Sequence, residues 1–318
     1  MTRSPQSSSP ALQNPALGVL STFDLRTVLS DYINLTKPGI ILLLLISTCC
    51  PMVLASRGEV QLDKVFWALI GGALMSGSAS ALNCIWDRDI DAIMLRTKNR
   101  PMAAGRIAPF AALLFAGLLG AVGLVVLSYF LNPLAAAISL VGHLFYVFVY
   151  TIWLKRSTPQ NIVIGGAAGA VPPIVGWAAV TGSVNIDAVL MFMVVFLWTP
   201  PHFWALALNK NEDYRRASVP MLPVVAGERA TYRQMVFYAA LLIPTSLLLV
   251  WTNEDLGMFS LLTLLLLGMV FLWKNVKLMR LKHPDLETKT KAAWDVFGFS
   301  LIYLALFFVC LVVDSLLI

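Results

Sequence analysis

Apolar runs long enough to cross a lipid bilayer, each needing about 20 helical residues, recur from Ile40 to the end of this 318-residue chain. Inside hydrocarbon a backbone N–H or C=O has no water to pair with, so each crossing must close its own hydrogen bonds, and a helix does this. With 58% hydrophobic and 13% charged residues, a soluble globular enzyme, a disordered protein and a disulfide scaffold are all excluded. The chain is read as an all-α, polytopic membrane protein. A formal charge of +6 would suit nucleic acid if the basic residues formed one patch, but the 23 Lys and Arg sit in loops, and no nucleic-acid partner is expected. Cys49, Cys50, Cys84 and Cys310 lie in or at the ends of apolar segments, without metal-site spacing, and read as core residues.

Hydropathy divides the chain into nine spans, at about 38–56, 65–86, 109–130, 133–153, 160–181, 186–208, 234–252, 257–273 and 292–316. The N-terminal stretch and the loops after spans 2, 4, 6 and 8 hold 3, 5, 2, 5 and 6 Lys/Arg, together 21, against Arg57 and Lys64 on the other side. The positive-inside rule then puts the N-terminus in the cytoplasm and the C-terminus outside. Residues 1–22, rich in Ser, Pro, Gln and Asn, read as a disordered tail rather than a signal peptide. Their serines would also fit a mitochondrial transit peptide, but Arg3 is the only basic residue before Arg26, which favours a bacterial inner membrane over the mitochondrial one. In segment 23–37 the residues Leu25, Val28, Leu29, Tyr32 and Ile33 share one helical stripe, as in a helix lying along the membrane surface. Residues 38–318 form the transmembrane domain. Pro172-Pro173, Pro200-Pro201 and Pro244 are expected to kink their helices or stop them early. Gly165, Gly166, Gly169 and Gly176 offer span 5 a surface for close helix contact.

Carboxylates gather at the cytoplasmic end of span 2, where Asn83, Asp87, Asp89 and Asp91 are followed by Arg96, Lys98, Arg100 and Arg106. On a continuing helix Asn83, Asp87 and Asp91 fall within about 80° of one another at about 6 Å per turn, while Asp89 points elsewhere. Oxygen-only ligands in this pattern suit Mg²⁺, which takes one or two carboxylates together with substrate phosphate oxygens. The basic residues downstream are the natural partners of that phosphate. A solvated loop of self-compensating ion pairs would carry the same charges. A second cluster, Asn209, Lys210, Glu212, Asp213, Tyr214, Arg215 and Arg216, follows span 6 on the same side and could face the first across a cavity. Taken alone, it would also serve as a loop binding lipid headgroups.

Asn83-x3-Asp87-x-Asp89-x-Asp91 followed by Arg96-Thr97-Lys98-Asn99-Arg100-Pro101 resembles the first signature of the intramembrane aromatic prenyltransferase (UbiA-type) superfamily. More narrowly, Thr36-Lys37-Pro38, the stretches Tyr150 to Arg156 and Asn161 to Pro173, Thr199-Pro200-Pro201-His202-Phe203-Trp204, and Asp213-Tyr214 through Pro223 resemble its haem-farnesylating branch. The likeness runs from about Asp31 to Gly227 and weakens in the last three spans. One departure stands out: positions 209, 213 and 217 are Asn, Asp and Ala, where many aromatic prenyltransferases pair two acids four apart. Only Asp213 carries over there, which leaves the ligands of a second metal open.

The resemblance implies nine helices around a central cavity, capped by the two acidic loops and open sideways to lipid. It implies transfer of farnesyl from farnesyl diphosphate to a vinyl group of protohaem IX, with addition of water, to give haem O, and through it a supply of haem A to terminal oxidases, with haem A synthase or the oxidase assembly machinery as expected partners. Mg²⁺ on Asn83, Asp87, Asp91 and Asp213 would stabilise the departing diphosphate. Asp87, Asp91 and Asp213 bring a charge of −3 and the diphosphate about −3, which two Mg²⁺ and two or three Lys/Arg would neutralise. Lys98, Arg100 and Arg216 are assigned to the diphosphate oxygens, with Arg96, Arg106 and Tyr214 as further contacts. Of three histidines, His283 falls in a loop, while His143 and His202 fall within spans. An intramembrane histidine is a functional hypothesis by default. His202, beside a proline pair expected to open the helix, is assigned to orienting or ligating the haem iron, and His143 is the weaker haem candidate, since a backbone carbonyl would equally satisfy it.

Three rival readings stay open: a prenyltransferase for a quinone or chlorophyll precursor, a haem-binding assembly factor, and a polytopic transporter. A transporter would keep ionisable groups near the midplane, whereas these carboxylates lie at helix ends. An assembly factor would have no use for Asn83, Asp87 and Asp91.

Overall fold

A computed structural model describes residues 25–281 and 285–317. The expected tail, the first two residues of the surface segment and His283 lie outside the described residues. The elements are α1 (Leu25–Thr36), α2 (Pro38–Ala55), α3 (Leu62–Trp86), α4 (Arg88–Ile93), α5 (Pro109–Phe130), α6 (Pro133–Ser157), α7 (Asn161–Thr181), α8 (Ile186–Asn209), α9 (Asn211–Arg216), α10 (Leu222–Val225), α11 (Gly227–Thr252), α12 (Met258–Met279) and α13 (Leu286–Leu317). Nine of them, α2, α3, α5 to α8 and α11 to α13, are long and apolar enough to span a bilayer, and they fall where hydropathy places them. The chain is a multi-pass membrane protein.

Starts and stops follow from local chemistry. Pro38, Pro109 and Pro133 stand in the first turns of α2, α5 and α6, where a missing N–H costs nothing. Asn132 and Asn185 cap α6 and α8 by accepting from Ala135 N and Ala188 N at 2.9 and 3.1 Å. Consecutive spans pack side by side, and α13 packs on both α12 and α2, which closes the nine into a ring. Additional contacts join α2 to α7 and α8 to α13, so α7 and α8 are the most enclosed spans. Lipid-facing surplus is left on the outside, with Trp251 84% and Leu118 64% exposed. Cys84 and Cys310 are buried, Cys49 and Cys50 half-buried, and all four are free thiols.

Close approach of α7 rests on its glycines. A Cβ on Gly176 would lie 2.1 Å from the carbonyl oxygen of Thr48 on α2, one on Gly165 would lie 2.2 Å from the Tyr150 ring, and one on Gly166 would lie 2.9 Å from Thr199. Gly169 differs from expectation, because nothing among the described residues lies within 4 Å of its missing Cβ. The prolines do not stop their helices: α7, α8 and α11 continue through Pro172-Pro173, Pro200-Pro201 and Pro244. Packing on both sides of α7 and α8 helps hold them together where the proline removes a hydrogen bond. His202 therefore sits in continuous helix and not beside an opened turn.

Two buried carboxylates at the end of the ring away from α4 and α9 serve the fold. Asp187 accepts from Thr252 Oγ1 at 3.1 Å and Asn253 Nδ2 at 3.0 Å, tying α8 to the end of α11. Asp314, on the last span, accepts the N–H of Gly257 at 2.7 Å and of Ser260 at 3.0 Å, capping the start of α12 with the charge its dipole favours.

Candidate active site

The end of α3 supplies the first two polar groups of the site. Asn83 is 3% exposed and Asp87 fully buried, four residues apart on one helix face, with Asn83 Nδ2 donating to Asp87 Oδ2 at 2.8 Å. The helix then breaks at Asp87 and restarts as α4, which carries Asp91, 3% exposed, inward and Asp89 outward. Asp89 is bonded by Arg156 Nη1 and Nη2 at 2.8 and 2.7 Å, and those bonds hold its carboxyl down at about 2.

Each inward carboxylate meets a cation. Lys155 Nζ donates to Asp87 Oδ2, with Arg156 Nη2 3.8 Å from the other oxygen. Arg100 Nη1 donates to Asp91 Oδ2 at 2.8 Å, and Lys37 Nζ donates to Asn83 Oδ1 at 2.6 Å. Lys37 reaches this position from a left-handed backbone turn, φ 54°, between α1 and α2. Lys155 reaches it because α6 widens into a π-helical stretch, Phe145–Leu154, before it ends. In the same stretch Thr151, fully buried, accepts from Asn83 Nδ2 at 3.1 Å.

The loop after α4 joins the second cluster to the first. Leu95 N donates to Asp213 Oδ1 at 3.4 Å, and the Arg96 charge lies near enough to Tyr214 to oppose the effect of burial on its phenol. Asp213 is 8% and Tyr214 5% exposed, and burial pushes the Tyr214 phenol up. Arg216 Nη2 lies 3.8 Å from Asp213, whereas Glu212 points outward to Arg215 at 3.1 Å. So Asn83, Asp87, Asp91, Arg100, Arg96, Asp213, Tyr214 and Arg216 are brought to one end of the ring. Lys98 is exposed on the same loop. Arg106 has other work: it forms a two-pronged ion pair with Asp31 of α1 at 2.7 and 2.9 Å, which lowers that carboxyl and pins α1 to the bundle.

Sequence reasoning missed Lys37, Thr151, Lys155 and Arg156 as site groups. The available signal was the Lys155-Arg156 pair at the end of span 4, the only basic residues in that loop.

Among the described residues no three His, Cys, Asp or Glu side chains stand close enough to share one ion. A divalent cation nonetheless fits the donor set. Its candidate ligands are oxygens only, and Asp87 Oδ1 is buried with no hydrogen-bond partner among the described residues, an orphan acceptor of a kind that folded proteins rarely leave.

The histidines lie elsewhere. His143 Nδ1 faces the carbonyl of Met75 at 3.2 Å, the backbone partner that a merely structural histidine would have. His202, 9% exposed, stacks on Trp198 at 4.2 Å and on Phe297 at 4.7 Å, between α8 and α13.

Comparison with known proteins agrees with this geometry. The sequence profile described as the UbiA prenyltransferase family matches residues 43–313. The chain belongs to the UbiA prenyltransferase family. Within it, the chain is 51% identical over 287 residues to a protoheme IX farnesyltransferase of Symbiobacterium thermophilum, covering 90% of this chain and 94% of the relative. A protoheme IX farnesyltransferase of Synechocystis sp. is 49% identical over 91% of this chain and 90% of its own length. Among solved structures, a digeranylgeranylglyceryl phosphate synthase superposes with a TM-score of 0.74 at 20% identity, over 91% of this chain and 99% of that one. A UbiA homolog from Archaeoglobus fulgidus bound to DMAPP and Mg2+ gives 0.67 at 16% identity, over 91% and 100%. At such identities the two structures establish the fold alone.

Proposed function

We propose that this UbiA-family chain transfers the farnesyl group of farnesyl diphosphate to a vinyl group of protohaem IX. The C–O bond of the allylic diphosphate breaks and its electron pair leaves with diphosphate. The vinyl π electrons form the new C–C bond, and water adds to the resulting cation and loses a proton, giving haem O. The observation that carries this reading is the buried network at the ends of α3, α4 and α6, three carboxylate and amide groups each held by a separate cation. Such an arrangement is built to exchange partners when an anion and its counter-ions enter. The relatives that share half the sequence supply the acceptor.

Asn83, Asp87, Asp91 and Asp213 would hold Mg²⁺, which when bound neutralises charge on the leaving diphosphate. Lys155, Arg100 and Lys37, released from the carboxylates and amide they now hold, donate to diphosphate oxygens together with Arg216, Arg96 and Lys98. Tyr214 orients Arg96. A central cavity, screened from cytoplasmic water by the α4 and α9 segments, protects the allylic cation from early capture. His202 orients or ligates the haem iron. The basic ends of the spans face the cytoplasm of a bacterium, and α1 lies along the membrane, turning Leu25, Leu29 and Ile33 outward, all more than half exposed.

The test is an incubation of detergent-purified protein with protohaem, farnesyl diphosphate and Mg²⁺, read by mass spectrometry of the haem. The expected product is heavier by one farnesyl group and one water and is absent with a chelator. Unchanged haem with diphosphate released would move the assignment to another acceptor. For His202→Ala, haem affinity is expected to fall by at least about tenfold, the loss that follows removal even of a ligand's supporting partner. Wild-type haem titration and turnover in this variant would remove His202 from the reaction.

A further inference from the structure

Trp198 and His202 stand one turn apart on α8, and both meet a single residue of α13, Ser300. Trp198 Nε1 donates to the Ser300 carbonyl at 2.7 Å, and His202 Nδ1 lies 2.7 Å from Ser300 Oγ. The hydroxyl has one proton, and the carbonyl of Phe297, 2.5 Å from Oγ, is an acceptor for it. With that proton on the Phe297 carbonyl, Oγ accepts from the imidazole, which is the arrangement we adopt. Nδ1 carries the ring proton, and in the neutral ring the lone pair is left on Nε2. That nitrogen has no hydrogen-bond partner among the described residues. Stacking on Trp198 and Phe297, at interplanar angles of 18° and 24°, fixes the plane of the ring, so the Nε2 edge has one direction in which to face. His143 also bonds through Nδ1 alone, but to a backbone carbonyl, whereas His202 meets a side-chain hydroxyl and is stacked on two rings. His202 is oriented at one nitrogen and free at the other, the arrangement by which proteins aim an imidazole at a metal.

We propose that Ser300 is a positioning residue for the haem substrate: it holds the proton on Nδ1 of His202 and thereby presents the Nε2 lone pair to the iron. The proposal rests on the assignment of His202 to haem. Ser300→Ala is a clean probe because the backbone carbonyl that docks Trp198 remains and only Oγ, fully buried, is lost. Purified full-length variants are titrated with protohaem while the Soret band is followed, and their melting is checked alongside. Ser300→Ala is expected to bind haem about tenfold to a hundredfold more weakly, the usual cost of removing a ligand's partner, with a Soret band displaced toward that of His202→Ala. The double variant is expected to bind no more weakly than His202→Ala alone. A Ser300→Ala protein with wild-type affinity and spectrum, beside a His202→Ala protein that has lost both, overturns the role of Ser300 and leaves His202 standing. An equal loss from Ser300→Ala in the two backgrounds also overturns it, since Ser300 would then act without the imidazole. Unaltered haem binding in His202→Ala removes the assignment on which both depend.

Discussion

Asp87→Asn is expected to lower farnesyl transfer by about a hundredfold to a thousandfold, the range seen when one electrostatic stabiliser of a developing charge is removed. Asp87 is fully buried, and its second oxygen lacks a hydrogen-bond partner among the described residues. Asparagine keeps the shape and the contact with Asn83 while removing the charge a cation needs. The same change leaves Lys155, its side chain only 14% exposed, without its carboxylate. Breaking a buried pair from one side typically costs about 3 to 5 kcal/mol, so lost turnover could reflect lost fold. Asp87→Asn combined with Lys155→Met separates the two. The double variant is expected to regain most of the melting temperature, because no buried charge is left unpaired, and to stay inactive. Single-variant turnover within about tenfold of wild type would show that Asp87 does not stabilise the leaving group.

Gly176→Ala is expected to be the most damaging single methyl that can be added to α7. The new Cβ would fall 2.1 Å from the Thr48 carbonyl oxygen and 3.3 Å from Met52. A backbone carbonyl inside α2 cannot rotate away as a side chain can, so α2 and α7 have to part. The cost is expected to exceed the roughly 1 to 3 kcal/mol of ordinary overpacking, because the seam between α2 and α7 ties together spans that are not neighbours along the ring. Gly169→Ala is the matched control. Nothing lies within 4 Å of its Cβ, and alanine is favoured over glycine in a helix by up to about 1 kcal/mol, so its melting temperature is expected to hold or rise. Thermal unfolding of both variants in detergent checks the pair, and a Gly176→Ala protein that melts with wild type would show that α2 and α7 are not tightly packed.

The spans were legible because hydropathy is a one-dimensional property: a run of apolar residues needs no knowledge of its neighbours to be read as a crossing. Asn83, Asp87 and Asp91 were legible for a similar reason, since helical spacing alone puts them together. Lys155 was not, because its partner Asp87 is 68 residues away in sequence and nothing periodic links them. Arg106 was assigned to the diphosphate from its place in a basic run, but Asp31, 75 residues earlier, claims it. Local proline chemistry did not show that α8 continues past Pro200-Pro201, where α7, α11 and α13 pack around it. Ser300 carried no signal at all. A serine in an apolar span bonding its own helix is common, and only the packing of α13 on α8 shows which ring its oxygen faces.

The widened stretch of α6 makes this span sensitive to length in a way the connecting loops are not. Between Phe145 and Leu154 each turn holds more residues than an α-helix allows. A chain that lost one residue there could relax into ordinary helix at no cost in hydrogen bonds. The rest of the span would then be turned and shifted along its axis, by an amount set by the difference between the two helix types. Thr151 and Lys155 would leave Asn83 and Asp87 and face a neighbouring helix or the lipid. Deletions in the short connections at 56–61 or 182–185 would change only how two spans are tied. A single deletion in α6 would leave an intact membrane protein whose carboxylates no longer meet their lysine, so gaps in this segment are expected to be selected against even where substitutions are tolerated.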